Sequence, residues 1–377
     1  MRHLKVFFLF TTTCILALCT GCSGLRTSSA EASSDTLLHH ATLLHLAETD
    51  SATVCEIKSP WREGALLHRY ILVPTGQKVP DSIPQGTLIR TPLTRAVSFT
   101  SVHAALLLDL GAADRLYGLC DTAYVIRRDL REALRAGRLA DMGSSQAPNR
   151  EGLVAAKADA LLVSPFENAG YGGIEQLNIP LIECADYMET SPLARAEWMR
   201  FYGRLFGCAD RADSLFAVVE KNYDDLKKRA QAARQRPTVM VDHMQSGVWY
   251  VPGDKSTMGQ LFADAGADYI FRDNGESGSV ALNFEAVFAR GHAADLWFTK
   301  YGAAKDLTYK ALSEEFAGYS RFSAWQQHHI FHCNVSHTPF FEDTPFHPDR
   351  LLTDIVRIVH PELLPDATPL YYMPMRP

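Results

Sequence analysis

Residues 209–236, ADRADSLFAVVEKNYDDLKKRAQAARQR, form a long stretch in which a helical pattern runs unbroken. Asp210 suits the N-cap position, and neither Gly nor Pro occurs before Pro237. Roughly 25 residues at about 1.5 Å each predict a rod ~38 Å long, enough to cross a whole lobe. The apolar residues recur every three or four positions and so share one face, namely Ala212, Leu215, Phe216, Val219, Tyr223, Leu226 and Ala230.

Short apolar strands alternate with helical stretches on both sides of this rod. Before it, the strand-like segments 95–99, 160–163 and 181–184 are separated by helical patterns, and after it the alternation restarts at 238–242. Such alternation is typical of a mostly parallel sheet with helices on both faces. We therefore predict an α/β fold of two Rossmann-like lobes joined by one long helix. The alternative is one large doubly wound domain with a long surface helix.

The predicted lobe boundaries follow from the position of the long helix. The N-terminal lobe is expected at 51–208, the interlobe helix at 209–236 and the C-terminal lobe at 237–377. An internal repeat supports two equivalent lobes. Asn149 opens a helix that ends near Asp159, and Asn283 opens one that ends near Asp295. A strand follows in both cases, and Asn caps helices well, so the pattern indicates a duplicated unit.

Composition excludes several classes of protein. A hydrophobic content of 47% with 21% charged residues suits a packed globule, and a net charge of −6 without a basic stripe argues against nucleic-acid binding. The cysteines beyond the leader are scattered, without the spacing of a zinc site or of a disulfide framework. One disulfide can form among them, but the sequence does not pair it. They are Cys55, Cys120, Cys184, Cys208 and Cys333.

The N-terminus carries the pattern of an export signal. A short basic start precedes an apolar run from Val6 to Cys19, and Gly21 directly precedes Cys22. The run is too short to span a bilayer and has the length of a signal-peptide apolar region. We expect a signal peptide at 1–21, lipidation of Cys22, a flexible tether at 22–50 and a mature protein anchored to a membrane and facing the periplasm. An ordinary secretory signal or a buried N-terminal helix are the alternatives.

Five motifs stand out in the sequence, namely RAVSFT at 95–100, LGAADRLYG at 110–118, YMETSPLARAEW at 187–198, WYVPG at 249–253 and FHPD at 346–349. Together they resemble the iron-chelate and vitamin B12 periplasmic-binding family, the helical-backbone class of substrate-binding proteins, which implies a ligand cleft between the two lobes. The resemblance covers roughly residues 95–363, whereas residues 35–90 match nothing in the family, and the Ala-Asp pairs that precede two strands lack the Pro common there. It implies a rigid, monomeric, two-lobed lipoprotein that captures a siderophore, haem or cobalamin for the permease subunits of an ABC importer and has no cofactor of its own.

Aromatic residues follow several of the predicted strands. Because an open parallel sheet binds ligands at the carboxyl ends of its strands, these residues are the candidate ligand contacts. Aromatic faces with few fixed polar groups suit a corrin, a porphyrin or a catecholate, although several of these side chains can instead cover the sheet. The candidates are Phe166, Tyr171, Tyr187, Trp249, Tyr250 and Tyr301.

Two glutamates are candidates for contact with the transporter. In the family that the sequence resembles, each lobe presents one Glu that pairs with Arg on the membrane subunits. Glu285 matches the position in the second lobe, and Glu167 is the nearest match in the first, with Glu175 in reserve. Most exposed glutamates are merely solvated, which is the alternative.

Histidines and catalytic motifs give weaker signals. In the stretch HHIFHC at 328–333, neighbouring side chains of a strand point to opposite faces, so we expect surface or core histidines and no metal site. His337 and His347 follow, and no matching His occurs in the first lobe. GESGS at 275–279 lacks the last Gly of a hydrolase nucleophile elbow. We expect no enzyme. A secreted α/β hydrolase, a chelatase-like enzyme and a purely structural surface lipoprotein are the alternatives.

Overall fold

The structure, a computed structural model, describes residues 37–377. The predicted signal peptide and the predicted anchor at Cys22 lie outside these residues. Among the described residues, no helix is both long and apolar enough to cross a membrane. The chain begins with a four-stranded sheet in the order β1-β2-β3-β4, antiparallel except for the parallel pair β3 and β4. Its strands are β1 (Leu44–Glu48), β2 (Thr53–Lys58), β3 (Leu66–Pro74) and β4 (Thr87–Thr91).

This first sheet belongs to the folded body, which corrects the predicted extent of the tether. Strand β1 lies inside the range 22–50, and Leu44 and Leu46 are buried in the main core. The sheet joins the N-terminal lobe through Tyr70, whose hydroxyl donates to the Leu181 carbonyl at 2.8 Å and accepts from the Glu183 amide at 2.9 Å. Residues 37–50 are therefore part of the N-terminal lobe.

Two buried glutamates hold the segment that leads into β1. The carboxylate of Glu197 accepts the backbone N–H groups of His39, His40 and Ala41 at 2.8–2.9 Å. Glu189 in turn accepts the backbone N–H groups of the next two residues and the indole N–H of Trp198. Hydrogen bonds to a charged acceptor are stronger than neutral ones, so residues 39–43 are fixed although they form no regular structure.

The N-terminal lobe is built on a parallel five-stranded sheet in the order β11-β10-β5-β6-β7. Its central strands are buried along their whole length, as expected when helices cover both faces. The strands are β5 (Ala96–Ser98), β6 (Leu116–Leu119), β7 (Ala140–Asp141), the short antiparallel pair β8 (Gly143–Ser144) and β9 (Ala147–Pro148), then β10 (Ala160–Val163) and β11 (Leu181–Glu183). The helices are α1 (Ser101–Asp109), α2 (Arg128–Arg135), α3 (Arg150–Ala156), α4 (Pro192–Glu197) and α5 (Met199–Leu205).

A charged network crosses the interior of this lobe. The carboxylate of Asp186 is fully buried and contacts the His103 ring at 2.8 Å, the Arg195 guanidinium at 3.1 Å and the Tyr202 hydroxyl at 3.0 Å. Burial opposes the charge of His103, but the neighbouring Cys184 and Asp186 raise its pKa to about 10. Burial likewise opposes ionisation of Asp186, yet the charge of His103 holds the pKa of that carboxyl below its usual value. The two residues form a buried ion pair.

One long helix, α6 (Ala209–Gln231), joins the two lobes. Its 23 residues make a rod about 34 Å long. The buried face matches the predicted stripe, apart from Leu215, which is half-buried. The helix is capped at Ala232, so it ends earlier than the predicted end at Arg236.

The C-terminal lobe repeats the architecture of the first. Its main sheet has the order β15-β12-β17-β18-β19, parallel except for β19, and a small antiparallel sheet, β13-β14-β16, lies beside it. The strands are β12 (Thr238–Val241), β13 (Met244–Gln245), β14 (Val248–Pro252), β15 (Asp268–Tyr269), β16 (Ser279–Leu282), β17 (Leu296–Tyr301), β18 (Ile330–Asn334) and β19 (Met373–Pro374). The helices are α7 (Thr257–Asp264), α8 (Phe284–Gly291), α9 (Tyr309–Glu315), α10 (Ser323–Gln326), α11 (Phe340–Asp343) and α12 (Pro348–Val359).

The internal repeat predicted from the sequence is confirmed in atomic detail. The strand order β6-β5-β10-β11 of one sheet corresponds to β15-β12-β17-β18 of the other. Asn149 caps α3 and Asn283 caps α8, each accepting a backbone N–H at 2.9 Å. Asp159 and Asp295 then tie the start of β10 and of β17 to the start of the adjacent strand, through the backbone N–H and hydroxyl of a threonine in both lobes. The prediction of two equivalent α/β lobes joined by one helix is confirmed.

The C-terminal segment makes a second connection between the lobes. Helix α11 packs on α1, and α12 packs on α4 and α6. The Glu342 carboxylate accepts the backbone N–H groups of Ile126 and Arg127 at 3.1 and 2.6 Å, and the ring of His347 contacts Asp109 at 3.1 Å. With α6 and these contacts together, a large hinge motion would break several buried interactions.

Candidate functional site

The cleft lies where the carboxyl ends of the strands in the two lobes meet the loops that follow them. In each sheet the strand order reverses between two central strands, β5 and β10 in one lobe and β12 and β17 in the other. At such a switch point the loops that follow the two strands part and leave a crevice. The strand order of each sheet therefore leaves a crevice that could hold a ligand, whichever side chains line it.

The N-terminal lobe forms the first pocket, with a volume of about 300 Å³. The loops after β5, β6 and β10 line it, and two of its aromatic side chains are largely open to solvent, Tyr124 at 77% and Phe166 at 55% exposure. Tyr171 is more constrained because its hydroxyl donates to Glu183 at 3.1 Å, and burial raises its pKa. The pocket lining is Phe99, Thr100, Ser101, Asp121, Tyr124, Ser145, Gln146, Val163, Ser164, Phe166, Ala169, Gly170, Tyr171 and Gly172.

Both lobes contribute to a second pocket of about 490 Å³. The N-terminal lobe supplies residues 187–190, which follow β11, and the C-terminal lobe supplies the rest. Tyr250 is 47% exposed in its wall, and the Thr257 hydroxyl donates across the lobe boundary to the Glu189 carbonyl at 3.4 Å. The pocket lining is Tyr187, Met188, Glu189, Thr190, Asp242, Tyr250, Pro252, Ser256, Thr257, Met258, Ser277, Gly278, Ser279 and Lys300.

The two pockets adjoin through one pair of aromatic rings. Phe166 of the first pocket and Tyr187 of the second lie with their ring centroids 6.0 Å apart. The Tyr187 hydroxyl donates to the Pro165 carbonyl, which fixes the ring, and burial raises the pKa of this phenol. The two pockets therefore lie side by side, with this pair of rings between them, and together they form the candidate cleft.

Each lobe also brings one aspartate to the cleft in an uncommon backbone conformation. Asp121, after β6, and Asp242, after β12, have φ of 54° and 55°, in the left-handed region that few residues other than Gly adopt. One carboxylate oxygen of each is held by a backbone N–H, from Ser145 at 3.1 Å and from Lys300 at 3.2 Å. Residues held in sparsely populated backbone regions cluster at functional sites.

Four of the six predicted ligand contacts line the cleft. Phe166 and Tyr171 lie in the first pocket, and Tyr187 and Tyr250 in the second. Their contact with a ligand remains a prediction, but the structure places all four where a ligand would meet them.

The prediction is wrong for Trp249, which belongs to the core. Its side chain is fully buried, its indole N–H donates to the Val241 carbonyl at 2.8 Å, and its ring stacks on Trp297 at 5.7 Å. Trp249 and Tyr250 are neighbours on strand β14, so they point to opposite faces of the small sheet. Only one of them can face the cleft.

The prediction is also wrong for Tyr301, because its side chain is buried at the end of β17. It is 8% exposed, and its hydroxyl contacts His332 at 2.6 Å and accepts the Leu307 amide at 2.7 Å. Burial raises the pKa of this phenol to about 12. The neighbouring residue Lys300 lines the cleft instead.

The two candidate docking glutamates are both exposed, and neither lines a pocket. Glu285 is exposed in the first turn of α8, and Glu167 is exposed in the loop after β10. Glu175 accepts the backbone N–H of Tyr171 and is thereby engaged within its own loop. By the internal repeat, the residue that corresponds to Glu285 is Glu151, which is exposed in the first turn of α3.

The histidines between residues 328 and 347, which were the candidate metal ligands, make separate contacts. His332 contacts Tyr301, and His347 contacts Asp109 across the lobe boundary. Within residues 37–377, no three His, Cys, Asp or Glu side chains are grouped in a way that could hold a metal ion. The five cysteines of this part of the chain are all free thiols.

Sequence reasoning missed Tyr124, Asp121 and Asp242, although a usable signal was present. Each of them comes within a few residues of the carboxyl end of a predicted strand, the rule that found the other contacts. The left-handed conformation of the two aspartates has no such signal, because most left-handed positions in the sequence are occupied by Gly.

Comparison with known proteins identifies this arrangement. The family described as "Periplasmic binding protein" matches residues 97–335, the stretch that contains both main sheets as far as β18, the helix α6 and the cleft. The chain belongs to the periplasmic binding protein family. An uncharacterized lipoprotein of Methanocaldococcus jannaschii is 25% identical over 335 residues, which cover 81% of this chain and 78% of that relative.

Solved structures of periplasmic binding proteins share the fold at low sequence identity. A possible iron-binding (periplasmic solute-binding) protein from Staphylococcus epidermidis aligns with a TM-score of 0.58 at 16% identity, covering 72% of this chain and 100% of that chain. The vitamin B12 binding protein of Vibrio cholerae aligns with a TM-score of 0.52 at 14% identity, covering 72% and 99%. The resemblance noted in the sequence and the helical-backbone class are both confirmed.

Proposed function

We propose that this protein captures an iron complex, a ferric siderophore or haem, or cobalamin in the cleft between its lobes and delivers it to the permease of an ABC importer. The observation that carries the proposal is the pair of adjoining pockets, which are lined by exposed aromatic side chains from both lobes of a periplasmic binding protein. Rings left open to water are an unfavourable arrangement in a free protein, and a large, partly apolar ligand would cover them.

Ligand titration tests this proposal directly. We expect saturable one-to-one binding of at least one complex from a panel of ferric siderophores, haem and cyanocobalamin, measured by fluorescence and calorimetry. Tyr250→Ala and Phe166→Ala are expected to weaken that binding without a large change in thermal stability, because both rings are about half exposed. Phe341→Ala is the matched control, since Phe341 is 54% exposed but lines neither pocket. Absence of binding across the panel, or turnover of an ester substrate, would favour the enzyme alternative.

The export and anchoring of the protein are part of the proposal. The relative from Methanocaldococcus jannaschii is a lipoprotein, and the sequence around Cys22 has the pattern of a lipidation site. We expect the mature protein to be attached to the outer face of a membrane through lipid on Cys22. Cys22→Ser is expected to move the protein from the membrane fraction to the soluble exported fraction. If this variant sediments with membranes as fully as the unaltered protein, the anchor lies elsewhere.

Glu285 and Glu167 are the proposed contacts with the permease. Both side chains are exposed and neither is part of the pocket lining, so a ligand in the pockets would leave them accessible. The internal repeat favours Glu151 as a second candidate in the first lobe, since it occupies the position that corresponds to Glu285. A carboxylate that pairs with Arg across an interface acts only in the complex, so its loss is expected to leave ligand affinity unchanged.

Uptake measurements beside ligand titration separate these candidates. Glu285→Ala combined with either Glu167→Ala or Glu151→Ala is expected to reduce uptake of the bound chelate by tenfold or more, since an unpaired buried charge costs about 2–5 kcal/mol. Charge reversal to Lys should be worse than Ala because it adds repulsion. Glu314→Ala, an exposed residue on α9, is the control. Unchanged uptake removes the pair from the docking surface, and lost affinity places it in the pocket.

A further inference from the structure

The cleft has an unusual balance of charge for a site that would hold a metal complex. Among the residues that line its two pockets, three are carboxylates, Asp121, Glu189 and Asp242, and one is a cation, Lys300. No arginine is among the lining residues that the structure describes. The guanidinium of Arg150 lies beside Gly173 and is not part of the lining.

The single cation already has an aromatic contact within the protein. The ammonium of Lys300 lies 5.4 Å from the centroid of the Phe340 ring, which belongs to α11. Among residues 37–377 this ammonium forms no ion pair, and its contact is the cation–π interaction with Phe340. Lys300 donates its backbone N–H to the Asp242 carboxylate, and its ammonium forms no ion pair with that carboxylate.

The carboxylates are not neutralised by basic side chains. Glu189 is occupied by backbone and indole N–H donors, which leave its charge in place. Asp121 and Asp242 each bind one backbone N–H through Oδ1, and among residues 37–377 the Oδ2 atoms have no protein donor and no basic partner. The N-terminal lobe contributes the first of these two aspartates and the C-terminal lobe the second, so each pocket carries one of the two charges.

Exposed aromatic rings accompany these charges. Tyr124 and Phe166 share the first pocket with Asp121, and Tyr250 shares the second with Asp242. The face of an aromatic ring carries negative electrostatic potential and attracts cations, so the rings reinforce the carboxylates. A ligand with net negative charge would lose its hydration in this cleft and receive repulsion in exchange.

We propose that the cleft selects chelates without net negative charge, and that Asp121 and Asp242 are the residues that set this preference. The inference rests on the proposed function, since it names the class of complex that the same site accepts. Ferric hydroxamates that are neutral or cationic, together with neutral corrinoids, belong to the accepted class. Haem with its two carboxylates and ferric catecholates with their threefold negative charge belong to the rejected class.

A matched series of ferric trihydroxamates tests the preference. Ferrioxamine B carries a free ammonium, its N-acetyl derivative is neutral and its N-succinyl derivative is anionic, while the iron-binding core is the same in all three. The cationic and neutral members are expected to bind at least about tenfold more tightly than the anionic one at low ionic strength. The difference should shrink at about 0.5 M salt, where exposed charges are screened. Cyanocobalamin, haem and a ferric tris-catecholate complete the panel.

Two variants assign the preference to the aspartates. Asp121→Asn and Asp242→Asn retain an oxygen for the backbone N–H and remove only the charge, so the folded cleft should persist. Together they should narrow the difference between cationic and anionic members to about threefold or less. Asp366→Asn, an exposed residue outside the lining, is the control and should leave the ranking unchanged.

The outcomes separate this inference from the function on which it rests. Preference for cationic or neutral complexes, including binding of cyanocobalamin alone, supports it. Tightest binding of haem, the tris-catecholate or the succinylated hydroxamate overturns it and leaves the capture of a chelate intact. If the order of affinities among the complexes is unchanged after both Asn substitutions, the two aspartates do not set the charge preference. Absence of binding by every complex overturns the proposed function and this inference together.

Discussion

Replacement of Glu197 by Ala should release the segment that enters the first sheet. Glu197 is fully buried, and its carboxylate accepts the backbone N–H groups of His39, His40 and Ala41. A hydrogen bond to a charged group contributes about 1.5–3 kcal/mol, so the three would cost roughly 4–9 kcal/mol if the N–H groups stayed buried and unsatisfied.

The expected loss of global stability is smaller because the segment has an alternative. Detached residues regain about 1–2 kcal/mol of backbone entropy each, and their N–H groups find water. Because the segment can detach, the loss of stability cannot exceed the free energy that detachment costs. We therefore expect the free energy of unfolding to fall by about 2–4 kcal/mol. The larger effect should be local, as loss of protection in residues 37–43.

Hydrogen–deuterium exchange of these amides and the denaturant midpoint measure the two effects. Glu197→Gln is informative because Oε2 serves both His40 and Ala41, whereas Oε1 serves His39. An amide that places its oxygen at the Oε2 position should keep about half of the stabilisation. Glu314→Ala, with a side chain 68% exposed, should change neither quantity. Protection in Glu197→Ala equal to that of the unaltered protein would refute the account.

Further predictions concern the interior and the cleft. Asp186→Asn should cost about 3–5 kcal/mol, since it leaves buried cations unpaired. Because the pKa of His103 is raised to about 10, its contribution to stability is full below pH 6.5 and is lost as the pH rises towards 10, so His103→Gln should flatten the stability profile over that range. Trp249→Ala should cost about 3–5 kcal/mol, whereas Tyr250→Ala should change stability by less than about 1 kcal/mol, as chemical denaturation will show. Asn283→Ala should cost about 1 kcal/mol through loss of the helix cap.

Local patterns carried much of the fold. The stripe of α6 and the caps at Asn149 and Asn283 depend on residues close in sequence, and each was predictable. The sheet formed by residues 44–91 was missed because its register and its docking on β11 depend on contacts such as Tyr70 with Leu181, more than a hundred residues apart. Such pairings have no local signal in the sequence.

The sequence predicted which loops form the site, but it did not predict the direction in which each side chain points. The rule that ligands meet the carboxyl ends of strands found Phe166, Tyr187 and Tyr250. It failed at Trp249, where strand alternation requires one of two neighbours to face inward. Which of the two faces inward depends on how the small sheet packs on Trp297, and a single sequence does not contain that information.

The connections between the lobes explain why the aromatic rings are exposed in the free protein. Helix α6 and the contacts of Glu342 with the backbone of Ile126 and Arg127 tie the lobes together at separate places. A cleft that cannot open and close widely cannot hide its binding surface until the ligand arrives. Its rings must already face the solvent, as Tyr124, Phe166 and Tyr250 do. The exposed rings lower the stability of the free protein. Because the site is already formed, binding requires little reorganisation of the protein and loses little free energy to it.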